Sequence, residues 1–254
     1  MLGAIIGDLA GSIYEFDQFK QTKPVKIKNI IEDNAFFSDD TILTIAIAEA
    51  ITSNTSFEKK LREYGLKYNS YSPNFKPYFK FPFSPGFRSW IKKENDGNSN
   101  GNGAMMRISP VGFLFNSEEE VIKNARLSVI PSHNTPESIK HATTIALIIF
   151  YARQGMTKQA IINKLNLKFK KPNITQFNST CEDTIDLCLY SIFNSNSFEE
   201  SISLAISFGG DTDTNACIVG GMAEAFYGIS DELKEQALKK LPQQFVEVLR
   251  KCGY

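Results

Sequence analysis

The chain has 254 residues, 42% of them hydrophobic and 22% charged, and its 28 Lys+Arg balance its 28 Asp+Glu to a formal net charge of zero. A chain of this length buries roughly 70–75% of its unfolded surface, enough for a sizeable core without staples, and its composition excludes a disordered protein. Zero net charge also removes the long-range field that recruits bulk nucleic acid or an anionic membrane, so nonspecific nucleic-acid binding is not expected. The opening stretch MLGAIIGDLAGSIY is apolar, but it lacks a basic n-region and is interrupted by Asp8, so it does not read as a signal peptide. The apolar run Ala142–Ala152 is too short to cross a membrane. A soluble, cytoplasmic protein is expected.

Helical signals then follow in chain order. Ser38 precedes DDTILTIAIAEAI, where Ile42, Ile45, Ala46 and Glu49 fall at helical spacing; length and alanine content favour helix over strand. From about Lys67 to Gly103 the chain carries Pro73, Pro77, Pro82 and Pro85, many aromatics and the polar tract ENDGNSNGNG. This reads as a long loop, either functional or packed on the surface of the bundle. Ser117 with Glu120, and Ser197 with Glu200, fit capping boxes. Thr135-Pro136 is a cap followed by proline at the first helical position, opening a helix that ends near Gly155. Ser230-Asp231-Glu232 starts a further helix with acid, and Lys239-Lys240 end it with base. Without an alternating strand or a sustained heptad, an all-α single domain over residues 1–254 is the simplest account. Cys181, Cys188, Cys217 and Cys252 form no CxxC and no Cys/His cluster, so they read as reduced cysteines and zinc is not expected.

Three acidic motifs are the candidates for chemistry: Asp8 with Glu15, Ser38-Asp39-Asp40-Thr41, and Gly209-Gly210-Asp211-Thr212-Asp213-Thr214. Adjacent carboxylates repel, and a sequence keeps them together mainly where a cation neutralises them or where they cap helices. Capping accounts for either the DD or the DTD motif alone, since Asp, Ser and Thr are favoured caps. Their recurrence at two helix starts puts metal binding on an equal footing, and an all-oxygen donor set suits Mg²⁺ or Mn²⁺. The run GNSNGNG (97–103) can present backbone N–H groups to an anion, or be a plain flexible loop. His133 sits in a loop, where it can donate to a substrate or simply face solvent; His141 falls within a helix and is assigned no role.

Taken in order, GAIIGDLAGSIYEF at 3–16, FSDDT at 37–41, GNGAMMRISPVG at 101–112, SHNTPES at 132–138 and SFGGDTDTNACIVGGMAEAFYG at 207–228 resemble the ADP-ribosylglycohydrolase family. The resemblance spans nearly the whole chain. It implies an all-α orthogonal helical bundle with two Mg²⁺ ions, Mn²⁺ being possible as a substitute, in a central cleft. By position, Ser38, Asp39 and Asp40 look like one ligand group and Asp211, Asp213 and Thr214 like the other. Many members have Thr at the position of Ser38, and serine still supplies a hydroxyl. Glu15 is similar to the glutamate that contacts a metal beside the scissile bond, and Glu15, Asp40 and Asp213 make up the implied catalytic set. Asn98, Ser99, Asn100, Gly101, Asn102 and Gly103 would cradle ADP-ribose, and His133 would face the ribose or diphosphate. Asp8 reads as structural. No role carries over to the aromatic, proline-rich segment.

The implied activity is Mg²⁺-dependent hydrolysis of an ADP-ribosyl bond on a protein or small molecule. The acceptor stays open among arginine, serine, a modified nucleobase and an O-acetyl linkage, with arginine the widest prior, and a monomer is the default for one compact domain. The residues suit that chemistry: cations can hold the ribose hydroxyls and polarise water, and a carboxylate can take its proton near an oxocarbenium-like centre. A catalytically silent ADP-ribose-binding or structural protein and a metal-dependent phosphohydrolase are the alternatives. Without metal, five gathered carboxylates (Glu15, Asp39, Asp40, Asp211 and Asp213) should raise one another's pKa values.

Overall fold

The computed structural model describes residues 1–21, 27–73 and 81–254, with backbone alone for 16–21. In chain order these form α1 (Leu2–Gln21), α2 (Asp39–Thr52), α3 (Phe57–Lys67), α4 (Pro85–Ile91), α5 (Gly103–Met106), α6 (Ser109–Leu114), α7 (Glu118–Val129), α8 (Pro136–Arg153), α9 (Lys158–Lys164), α10 (Cys181–Phe193), α11 (Phe198–Ser207), α12 (Thr212–Tyr227), α13 (Asp231–Lys239) and α14 (Gln243–Lys251). No β-strand occurs among the described residues; Asn98 with His133 and Gly101 with Thr180 form isolated bridges. The fold is all-α, as expected.

Each predicted cap is used. The hydroxyls of Ser38, Ser117, Thr135, Ser197 and Ser230 accept from Asp40, Glu120, Ser138, Glu200 and Leu233 N–H respectively. Each such bond satisfies an orphan donor and is worth about 1 kcal/mol. The stretch expected to be one long loop holds a helix instead: Ser84 caps α4, Pro85 occupies its first turn, and Phe87, Trp90 and Ile91 are buried at helical spacing. Seven residues are too few for periodicity to stand out among so many aromatics. Residues 74–80, including Pro77, lie outside the described residues.

The pair that organises the molecule is α1 against α12, packed antiparallel and backbone to backbone. A Cβ on Gly3 would lie 2.4 Å from Gly220 O, one on Gly7 2.0 Å from Ala216 O, and one on Gly11 2.2 Å from Thr212 O. Glycines four apart share one helix face, and only hydrogen fits there. The Thr212 hydroxyl closes the seam by donating to Gly11 O at 2.9 Å. Around it, α2, α8 and α11 contribute buried aliphatics such as Ile45, Ile149 and Ile202. Cys181, Cys188 and Cys217 are buried free thiols, and Cys252 is half-buried and free. The N-termini of α2, α5 and α12 open onto one cavity of about 450 Å³, and their dipoles give its floor partial positive charge.

Candidate active site

Six carboxylates gather here, five lining the cavity and Asp8 buried beside Asp40 and Asp213. From α1 come Asp8 and, two turns on, Glu15; α2 begins with Asp39 and Asp40; Asp211 and Asp213 stand at the start of α12. Oxygens of Asp8, Asp40 and Asp213 all lie within 4.8 Å of one another, and so do those of Glu15, Asp211 and Asp213. Asp213 is common to both sets. Asp39, half-buried, lines the same cavity but belongs to neither set.

Local chemistry explains how these like charges are held. Ser38 does the capping of α2, with Oγ also 3.1 Å from Asp40 Oδ2, to which the Thr214 hydroxyl donates at 3.2 Å. Asp211 occupies the N-cap position of α12, yet its side chain caps nothing. Its Oδ2 accepts instead from Asn102 Nδ2 at 2.7 Å, and its N–H donates to Asn178 Oδ1 at 2.9 Å. That approach requires Gly210: it has φ +78°, and a Cβ there would sit 2.1 Å from Asn178 Oδ1. Asp8 Oδ2 accepts from Ser38 N–H, Thr41 N–H and the Thr41 hydroxyl at 2.9, 3.1 and 2.5 Å, tying α1 to the start of α2. The other oxygens of Asp8 and Asp40, both Oδ1, are buried with no hydrogen-bond partner.

Burial, reinforced by the charge of Asp213, raises the pKa of Asp8 to about 7 and pushes Glu15, Asp39 and Asp40 well above the ordinary carboxylate range. Asp213 is raised by burial and then by Asp211, and Asp211 itself is raised by burial. A set of buried oxygens, two of them unpartnered, that resists ionising together fits a divalent cation with hard oxygen ligands. Such an ion would satisfy the orphaned oxygens and offset the repulsion.

Of the other residues singled out from the sequence, Ser99, Gly101, Asn102, Gly103, His133 and Thr214 line this cavity. Asn102 turns its amide onto Asp211, so its side chain serves the carboxylate cluster. Asn98 lines a neighbouring cavity together with Trp90 and Asp96. Asn100 is exposed, and its carbonyl accepts from Cys181 N–H at 2.9 Å. Ser38 is buried behind Asp40. His133 is buried, not a surface histidine. His141 bonds Glu182 at 2.8 Å, outside the cavity lining.

Asp8 holds α1 to the start of α2, as expected of a structural residue, and its seven-residue spacing from Glu15 also puts both carboxylates near one face of α1. The sequence reading missed three further contributors. Asn178 and Arg107 carry no local signal. The aromatic segment supplies a wall with Phe81, Phe83, Phe87 and Arg88, the Arg88 guanidinium lying 3.6 Å over the Phe81 ring centroid.

Comparisons with known proteins show the family. The model of the family described as ADP-ribosylglycohydrolase matches residues 1–252. The chain belongs to that family. It is 22% identical to ADP-ribosylarginine hydrolase Tri1 of Serratia proteamaculans (strain 568), over 96% of this chain and 74% of the relative. It is likewise 22% identical to ADP-ribosylhydrolase ARH3 of Homo sapiens, over 92% of this chain and 86% of that one. A solved structure titled ADP-ribosylglycohydrolase-related protein complex superposes with a TM-score of 0.72 at 18% identity, covering 99% of this chain and 94% of the other. Membership of the ADP-ribosylglycohydrolase family makes the chain a glycosidic-bond hydrolase of the kind that removes ADP-ribose from acceptors. No helix among the described residues is long and apolar enough to cross a membrane.

Proposed function

We propose that this chain is a Mg²⁺-dependent hydrolase that releases ADP-ribose from an arginine acceptor, with Mn²⁺ able to replace Mg²⁺. The observation that carries the reading is the pair of interlocked carboxylate sets from α1, α2 and α12 beside the Gly101–Gly103 turn. Arginine is favoured because a relative that aligns over 96% of the chain is named for it. Asp8, Asp40 and Asp213 would hold one ion and Glu15, Asp211 and Asp213 the other, with Asp39, Ser38 and Thr214 completing the polar surround. Bound divalent cations supply positive charge for the ribose hydroxyls and for the attacking water.

The remaining work falls to the protein. Glu15, half-buried at the edge of the cluster, orients the water and accepts its proton. Asp40 and Asp213, as ionised carboxylates, stabilise positive charge developing at the ribose anomeric carbon. Ser99, Gly101 and Gly103 meet the diphosphate with small side chains and backbone, so no lysine is needed at that wall. His133 donates from the same wall.

The test is a release assay over a panel of defined ADP-ribosylated acceptors, with Mg²⁺, with Mn²⁺ and with chelator. Metal-dependent release of free ADP-ribose from the arginine conjugate is expected. Binding of ADP-ribose without turnover on any acceptor would make the protein a silent binder, and release of AMP or phosphate would make it a phosphohydrolase.

A further inference from the structure

Arg107 is among the largest side chains in the core that are wholly shielded from solvent. It takes no part in the carboxylate sets, and its Nε and Nη1 have no hydrogen-bond partner. Its Nη2 donates to Ser132 Oγ at 2.7 Å and more weakly to Ser128 O at 3.3 Å. Ser132 Oγ in turn lies 2.8 Å from His133 Nδ1. Ser132 and His133 are both buried, at 2% and 5% exposure.

A guanidinium can only donate. Ser132 Oγ therefore spends a lone pair on Arg107, and its own hydrogen needs an acceptor. Among the described residues its side chain has two partners, Arg107 and His133, so the acceptor is His133 Nδ1. Were Nδ1 protonated, the serine would accept twice and leave a buried hydroxyl hydrogen unpaired, which is unfavourable. A neutral imidazole whose Nδ1 accepts carries its hydrogen on Nε2. Burial, followed by the charge of Arg107, holds the His133 pKa well below its ordinary value, so the ring is neutral.

Nε2 faces the two glycines of the loop. A Cβ on Gly103 would come within 3.2 Å of it and one on Gly101 within 3.6 Å. No protein group among the described residues takes its hydrogen.

We propose that Arg107 and Ser132 are positioning residues: through the chain Arg107 to Ser132 to His133 they lock His133 as the Nε2–H tautomer, aimed past Gly101 and Gly103 as a neutral donor to a substrate oxygen. Arg107 thus acts at one remove, turning a buried positive charge into a fixed hydrogen-bond direction at the cavity wall. The inference rests on the reading of this cavity as an ADP-ribose site, but its first measurement needs no ligand.

The chain has two histidines, so ring ¹⁵N spectra of the free protein are simple, and His141→Asn assigns the signals. His133 is expected to show a pyrrole-type Nε2 and a pyridine-type Nδ1. Ser132→Ala, with unchanged circular dichroism, should mix the two tautomers, and Ser132→Thr should restore the single form. Titration of ADP-ribose into the same proteins should give about a tenfold weaker Kd for Ser132→Ala, with recovery in Ser132→Thr. An Nδ1–H tautomer in the natural protein, or a tautomer indifferent to Ser132→Ala, overturns the relay. Unchanged ADP-ribose affinity in Ser132→Ala overturns its role in binding. If the natural protein binds no ADP-ribose while the tautomer responds as expected, the relay stands and the functional reading fails.

Discussion

Asp8 has two oxygens in different surroundings. Oδ2 is saturated by Ser38 and Thr41, whereas Oδ1 is buried without a partner, and the carboxyl group lies among those of Asp40 and Asp213. Asp8→Asn keeps an acceptor for the backbone donors and removes the charge, so the protein should stay folded. Its affinity for Mg²⁺ should fall by about 10–100-fold, measured by calorimetry; undiminished affinity would leave Asp8 a purely structural residue. Asp211→Asn should abolish release of ADP-ribose with circular dichroism unchanged, and a fully active variant would break the assignment. Asp8 also marks where residue-level reading stops. A carboxylate in an apolar helix is visible in the sequence, but the division of labour between its two oxygens depends on Thr41, thirty-three residues away. Asn178 is a harder case, because its link to Asp211 spans thirty-three positions and no motif surrounds it.

At the scale of elements, the caps and the acidic helix starts were legible because capping is a local exchange between a side chain and N–H groups two or three residues on. Local chemistry also separates the two acidic motifs: Ser38 takes over capping and leaves Asp39 and Asp40 unengaged by it, while Asp211 stands at a cap position without capping. Helix α4 was not legible, since its short run of aromatics reads equally as loop. The glycine ridge of α1 is written plainly as Gly3, Gly7 and Gly11, but its meaning appears only opposite Gly220, Ala216 and Thr212. Gly7→Ala should force the helices apart and cost about 1–3 kcal/mol, read as a lower Tm. Mg²⁺ affinity should fall with it, although Gly7 has no ligand atom to offer. Gly86→Ala, where an added Cβ meets nothing within 4 Å, should leave Tm unchanged or raised; equal losses in both variants would refute the close-packed seam.

For the whole molecule, the carboxylate cluster sets how stability responds to pH. Asp8, Glu15, Asp39, Asp40 and Asp213 keep protons in the folded state that ordinary carboxylates in an unfolded chain have lost. Unfolding then releases protons, so the stability of the metal-free protein falls as pH rises from about 4 through 7, by about 1.4 kcal/mol per pH unit for each extra proton held. Thermal melts in chelator should give a higher Tm at pH 5 than at pH 8. Mg²⁺ should stabilise more at pH 8, where protons no longer compete for the oxygens. A chelated Tm that climbs between pH 5 and 8 would contradict the raised carboxylates.

The contact between Thr212 and Gly11 joins positions 201 residues apart, and this separation has a consequence for synthesis. Asp8 and Glu15 leave the ribosome first, yet Asp213, common to both carboxylate sets, is among the last site residues to be made. Until residues 211–213 are made, the nascent chain therefore carries only part of the carboxylate cluster. The complete cluster requires α12 to pack along the glycines of α1. A ribosome stalled before residue 211 would hold an inert chain, so premature termination yields fragments without hydrolytic activity.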